Sequence, residues 1–184
     1  MRYMTYVIIG VIVLIILYII VTINSIIKLR NRVDESFSTM DVYLKKRWDL
    51  IPSIVEVVKG YSKHENETLK DVISLRNNTY DNLNTNEKID TNIRVSERVS
   101  KLMILAENYP ELKASDNFKQ LTNQLTQVED EILKARKYYN ANVRVYNTKI
   151  EMFPNNLVAA LFNIKSRNMF EAKEEEKENI KIEL

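Results

Sequence analysis

One stretch constrains this chain more than any other: from Tyr3 to Ile27 there is no charged residue, and Val7–Ile23 is almost wholly Ile, Val and Leu. A bilayer core needs about 20 apolar helical residues, so the run is long enough to span. Val and Ile are weak helix formers in water, but in lipid each backbone group must find a partner within its own segment, and a helix provides it. Two other readings compete: the buried core helix of a soluble domain, and a cleaved signal peptide. A signal peptide has an apolar region of roughly 7–15 residues followed by a small-x-small cleavage site. Here the run is longer, and Thr22-Ile23-Asn24-Ser25-Ile26-Ile27 contains no Ala-x-Ala. The expectation is therefore an anchor that stays attached, residues 1–27, holding the protein in a lipid bilayer as a single-pass transmembrane helix.

Orientation follows from Lys and Arg. Only Arg2 precedes the span, whereas Lys28, Arg30 and Arg32 follow at once, with Lys45, Lys46 and Arg47 farther on. The excess of positive charge marks the cytoplasmic side. The expected location is the cell membrane, with the first residues outside and the C-terminal domain in the cytoplasm.

Behind the anchor the sequence is that of long helices. The 184 residues include two glycines and three prolines, and neither Asn-Gly nor Asp-Gly occurs, so the tight hairpins that sheets need have no turn residues. The first helix is predicted over about Lys28–Lys59, with Leu29, Val33, Phe37, Met40, Leu44, Trp48, Ile51, Val55 and Val58 in steps of three and four. Pro52 predicts a bend near Trp48–Pro52, and Gly60 is placed as a C′ glycine. A second helix opens at the capping box Ser62-Lys63-His64-Glu65 and runs to about Leu83. Asn84-Thr85-Asn86-Glu87 reads as a loop. A third helix spans about Asp90–Asn108 and stops at Tyr109-Pro110. The fourth runs from Asp116 to about Glu151, with Phe118, Leu121, Leu125, Val128, Ile132, Ala135, Tyr139, Val143, Tyr146 and Ile150 as its seam. Phe153-Pro154 ends it, and a short helix, Asn156–Ile164, follows. The fold class is all-α, an N-terminal transmembrane helix followed by an antiparallel up-and-down four-helix bundle, because closing a bundle covers every stripe. Residues 28–164 form that domain, and residues 165–184 read as a charged, mobile tail.

Several ordered blocks resemble the LemA family of membrane-anchored bacterial proteins. They are Val42-Tyr43-Leu44-Lys45-Lys46-Arg47-Trp48-Asp49-Leu50-Ile51-Pro52, Val57-Val58-Lys59-Gly60-Tyr61 and His64-Glu65, then Glu107-Asn108-Tyr109-Pro110-Glu111-Leu112-Lys113-Ala114. Ala135-Arg136-Lys137-Tyr138-Tyr139-Asn140, Tyr146-Asn147-Thr148 and Phe153-Pro154 complete the set. The resemblance implies an N-terminal span and a helical bundle. It implies no agreed activity and no catalytic residues. Some relatives are linked to organelle-like membrane structures, which allows a membrane-organising role. The Asn/Lys-rich second loop and the acidic tail depart from the family pattern.

Little in the chain suggests chemistry. The net charge of +2 is small and mixed, so no basic field points to nucleic acid. No cysteine is present, which excludes disulfides, thiolate metal sites and cysteine nucleophiles. His64, the lone histidine, with Glu65 and Glu67 would not make a closed ligand set. Glu129, Asp130 and Glu131 read as a solvated face. The expectation is a chain with no catalytic residue, no cofactor and no metal site, acting as a non-enzymatic, membrane-tethered scaffold for other proteins. The alternative is a lipid-surface-binding or membrane-remodelling protein. Arg47, Trp48, Asp49, Arg136, Asn140 and Asn147 lie beside the seams, either as a buried network that fixes helix register or as a contact face for a partner. In a bundle whose fourth helix returns toward the membrane, Lys28, Arg30 and Arg32 approach Leu157, Leu161 and Phe162 of the short helix. Its apolar side then packs on the bundle or dips into the headgroups.

Overall fold

The computed structural model describes residues 2–61 and 80–170. All regular elements among them are helical: α1 (Arg2–Tyr61), a 3-10 turn (Tyr80–Asn82), α2 (Thr85–Glu107), α3 (Pro110–Ala114), α4 (Asp116–Glu151) and α5 (Asn155–Leu161). The expected second helix lies outside the described residues apart from its last few, as do its capping box and the whole His64-Glu65-Glu67 group. The chain divides into two compact units, Met1–Ser36 with Tyr138–Leu184, and Phe37–Lys137.

The apolar run and the first amphipathic stripe belong to one helix. No Gly or Pro lies between Ile23 and Val33, and α1 continues through Pro52 without a break. Proline removes one donor at that point, but the buried Ile51, Ile54, Val55 and Val58 keep the stripe in phase across it. Gly60 is not a C′ glycine: it sits within α1, and no described glycine has positive φ. α1 is the one described helix long and apolar enough to cross a membrane. From Tyr3 to Val21 its large apolar side chains are exposed except the half-buried Ile19, whereas Thr22, Ile26, Val33 and Ser36 are buried.

α2 begins earlier than expected. Asn84 is its N-cap: the Asn84 carboxamide oxygen accepts from Glu87 N–H at 3.1 Å, and the Glu87 carboxylate accepts from Asn84 N–H at 2.8 Å. Asparagine favours turns and N-caps alike, and the predicted loop at 84–87 is instead a capping box. After the Asn108 C-cap, Pro110 opens the short α3 at its first position, where its missing N–H costs nothing, and Leu112 is fully buried. α4 matches its predicted limits. Every residue of its predicted seam is buried except Leu121, which packs half-buried on the core of the Phe37–Lys137 unit. That core joins Ile51–Val58 of α1, Val95–Ala106 of α2, Leu112 of α3, and Phe118 and Leu125 of α4.

α5 starts just after Pro154 and ends in a Schellman motif. Ile164 N–H donates to Ala159 C=O at 2.8 Å and Asn163 N–H to Ala160 C=O at 3.2 Å, with Asn163 at φ 51°. Asparagine tolerates the left-handed region better than other side-chain-bearing residues. The turn releases the chain into a non-helical segment, 165–170.

Candidate functional site

In the Phe37–Lys137 unit the polar residues converge on Arg47. Heptad position puts it beside the α1 stripe, and its side chain is only 1% exposed. One terminal nitrogen donates to Ser96 Oγ at 2.7 Å and to both Glu129 carboxylate oxygens at 3.1 Å. The other donates to the Asn92 backbone oxygen at 2.9 Å and side-chain oxygen at 2.7 Å. Its Nε is the one buried side-chain polar atom among the described residues with no hydrogen-bond partner. A guanidinium suits this place because its planar fork serves several acceptors from one stem.

Asn92 extends the set. It is fully buried, and its amide donates to Tyr80 Oη at 3.2 Å and to the Lys88 carbonyl at 2.9 Å. The Tyr80 hydroxyl donates to Asp41 at 2.6 Å, and Lys88 Nζ meets the other Asp41 oxygen at 2.6 Å. Lys88 also stands 5.0 Å from the Tyr80 ring centroid, and Trp48 packs a tilted ring at 5.4 Å. Burial, reinforced by the neighbouring Asp41 carboxylate, pushes the Tyr80 hydroxyl pKa well above its ordinary value. Two cations and two carboxylates thus bond α1, the 3-10 turn, α2 and α4. Such a chain is met only at one helix register.

Glu129 is the correction here. Instead of belonging to a solvated face it is the counter-charge of Arg47, while Asp130 is exposed and Glu131 pairs with Lys134 at 2.7 Å. Of the residues singled out from sequence in this unit, Arg47 and Trp48 sit in the set, Asp49 is exposed and Arg136 is half-buried.

Asn140 and Asn147 belong to the other unit and have a different task. Asn147 donates to the Arg167 carbonyl and accepts from the Arg167 N–H, both at 2.9 Å. Asn140 does the same for Phe170, both at 2.8 Å. The preceding tyrosines join in: Tyr146 Oη donates to the Lys165 carbonyl and Tyr139 Oη to the Asn168 carbonyl, each at 2.9 Å. Burial raises the pKa of both tyrosines. The first residues of the expected free tail are therefore held, and Phe170 is buried. Residues 171–184 lie outside the described residues. The repeated Tyr-Asn pair was visible in the sequence; its ligand was not.

The short helix α5 buries Val158 and Ala159 and leaves Leu157, Leu161 and Phe162 at 61%, 71% and 51% exposure, with Met152 and Phe153 exposed beside them. Tyr18, within the apolar run of α1, donates to Asn155 at 2.8 Å, which places the start of α5 level with that run. Lys28, Arg30 and Arg32 are exposed. Arg167 reaches Asp34 at 3.3 Å. Among the described residues no three His, Cys, Asp or Glu side chains are grouped to hold a metal ion.

The chain is similar to protein LemA of Metamycoplasma hominis, 25% identical over 158 residues, covering 85% of this chain and 72% of that protein. It is also similar to magnetosome protein MamQ 2 of Paramagnetospirillum magneticum, 32% identical over 75 residues, 41% of this chain but 28% of that protein. A magnetosome protein MamQ of Magnetospirillum gryphiswaldense is 29% identical over a stretch of the same length. A sequence profile of the LemA family matches residues 36–184, nearly everything that follows the apolar run, and the chain belongs to the LemA family.

Proposed function

We propose that this protein is a non-enzymatic scaffold, tethered to the cell membrane by residues 1–27, which presents its helical domain to other proteins in the cytoplasm. The observation that carries the reading is the burial of Ile26 and Val33 (1% and 2% exposed) in the unit that also contains the apolar run. The anchor is not a loose leash; the helix that enters the bilayer also supplies core. Arg47, Asn92, Asn140 and Asn147 are engaged in holding helices and backbone. That employment suits a binding or structural role. The partial match to magnetosome proteins covers too little of their length to lend this chain their setting.

Photo-crosslinking from the exposed α4 positions Tyr138 and Val145 in intact cells tests the scaffold. Discrete adducts with a second polypeptide are expected. Lipid adducts alone would contradict it. The cytoplasmic placement rests on Lys28, Arg30 and Arg32, and a reporter active only outside the membrane, fused after Leu184, should be silent.

A second reading is favoured by the exposed apolar side of α5 at the level of Tyr18: Leu157, Leu161 and Phe162 rest in the headgroup region of the leaflet that α1 enters. Basic residues at the surface add roughly 1 kcal/mol each toward anionic lipid, less at high salt. In the full chain reconstituted into vesicles, a fluorophore at position 161 should be quenched by a shallow lipid-borne quencher and one at Asp130 should not. Equal quenching at both sites would remove the lipid contact.

A further inference from the structure

The Tyr-Asn pairs at 139–140 and 146–147 are seven residues apart, two turns of α4, which is a rise of about 10.5 Å along the helix. The backbone groups they bond are three residues apart in the segment: Lys165 and Asn168 for the tyrosines, Arg167 and Phe170 for the asparagines. Three extended residues cover about 10 Å. The two repeats match, so the same pattern of three hydrogen bonds is applied twice to a segment running antiparallel to the helix. All six hydrogen bonds go to main-chain N–H or C=O. In the segment, Lys165, Ser166, Asn168 and Met169 are exposed, Arg167 is partly so, and only Phe170 is buried. The α4 groups read main chain and one bulky apolar side chain, and the Arg167 side chain adds an ion pair to Asp34 of α1.

We propose that this face of α4 is a groove for an extended peptide. Residues 165–170 occupy it as an internal ligand, and a segment of another polypeptide with a large apolar residue in the place of Phe170 docks there by the same bonds once the internal segment leaves. Because peptide groups are common to all chains, the asparagine carboxamides supply affinity without fixing sequence, as in strand addition to a sheet edge. The internal segment competes at a high effective concentration set by its short connection to α5, which keeps the groove closed to weak ligands. The proposal deepens the scaffold reading by naming the class of partner, and it rests on that reading for its use in the cell.

The test uses the full chain in detergent micelles and a fluorescent peptide copying residues 164–171, followed by anisotropy. Phe170→Asp should weaken the internal ligand, so the peptide should bind that variant at least about tenfold more tightly than the unaltered chain. A peptide with every side chain but the phenylalanine and the arginine changed to alanine should bind within about threefold of the copy, since the α4 bonds are to backbone and the arginine keeps its pair with Asp34. Adding Asn140→Ala and Asn147→Ala to the variant should abolish binding of both. If Phe170→Asp lowers helicity, Arg167→Pro serves in its place, because it deletes the N–H that Asn147 accepts. No binding to a folded variant, or binding that survives loss of both asparagines, overturns the groove. Peptide binding as predicted together with no crosslinked protein in cells leaves the groove standing and removes the scaffold reading.

Discussion

In the Phe37–Lys137 unit, polar side chains beside the helical seams bond mainly to one another: Arg47 to Glu129, Ser96 and Asn92, then Asn92 to Tyr80 and Tyr80 to Asp41. In the unit that contains the apolar run, side chains at equivalent seam-flanking positions of α4 bond to main chain instead. The two arrangements differ in what they specify. A side-chain network with a charge at 1% exposure penalises any shift of one helix against another, because a slipped register strands a guanidinium or a carboxamide in an apolar core. A main-chain clasp needs only that a strand be extended and within reach. The first arrangement fixes packing, and the second can accept a ligand.

The sharpest way to break this comparison is to remove the counter-charge. Glu129→Ala leaves Arg47 buried without its carboxylate and should destabilise by about 3–5 kcal/mol, read by chemical denaturation of the full chain in micelles. Asp130→Ala, one residue along and exposed, should stay within about 0.5 kcal/mol of the unaltered chain. Equal effects at the two positions would mean that Arg47 does not depend on Glu129. Next come the apolar seam residues: Leu125→Ala or Ile132→Ala should cost about 2–5 kcal/mol, the range of buried large-to-small changes. Unchanged melting in both would take this stretch of α4 out of the core.

Alkaline pH gives a smaller effect. The pKa of Tyr80 is raised by burial first and by Asp41 second, so its neutral form belongs to the folded state. In the unfolded chain tyrosine titrates near pH 10, so the contribution is complete below about pH 10 and declines as pH rises from there toward the raised folded value. Tyr139 and Tyr146 shift the same way and add to the decline. Thermal melts between pH 9 and 12 should show the loss, and Tyr80→Phe should flatten it. A decline of equal slope in the variant would show that Tyr80 has no part in it.

How much of this was legible in the residues depends on the range of the interaction. The apolar run and the α4 seam are local periodicities, and both could be read directly from Tyr3–Ile27 and Phe118–Ile150. Arg47 stood out because a cation flanking Trp48 in an apolar stripe needs an explanation. Its partner Glu129 is 82 residues away and sits in a run of three carboxylates, and nothing local distinguishes it from Asp130. Gly60 and Asn84 lie near helix ends, where the same residue types serve as cap, turn or helix interior, so sequence alone does not distinguish their roles. The Tyr-Asn repeat was visible at heptad spacing, but residues 165–170 carry no periodicity, and hydrogen bonds to backbone leave no mark on the sequence they hold.

That last contrast, side chain against side chain in one unit and side chain against backbone in the other, is tested most directly by amide hydrogen exchange in the full chain in micelles. The Arg167 and Phe170 amides, which donate to Asn147 and Asn140, should exchange slowly, while those of the exposed Ser166 and Met169 should exchange fast. Asn147→Ala should release the Arg167 amide and leave the protection of α2 unchanged. Uniformly fast exchange across residues 165–170 in the unaltered chain would contradict the account.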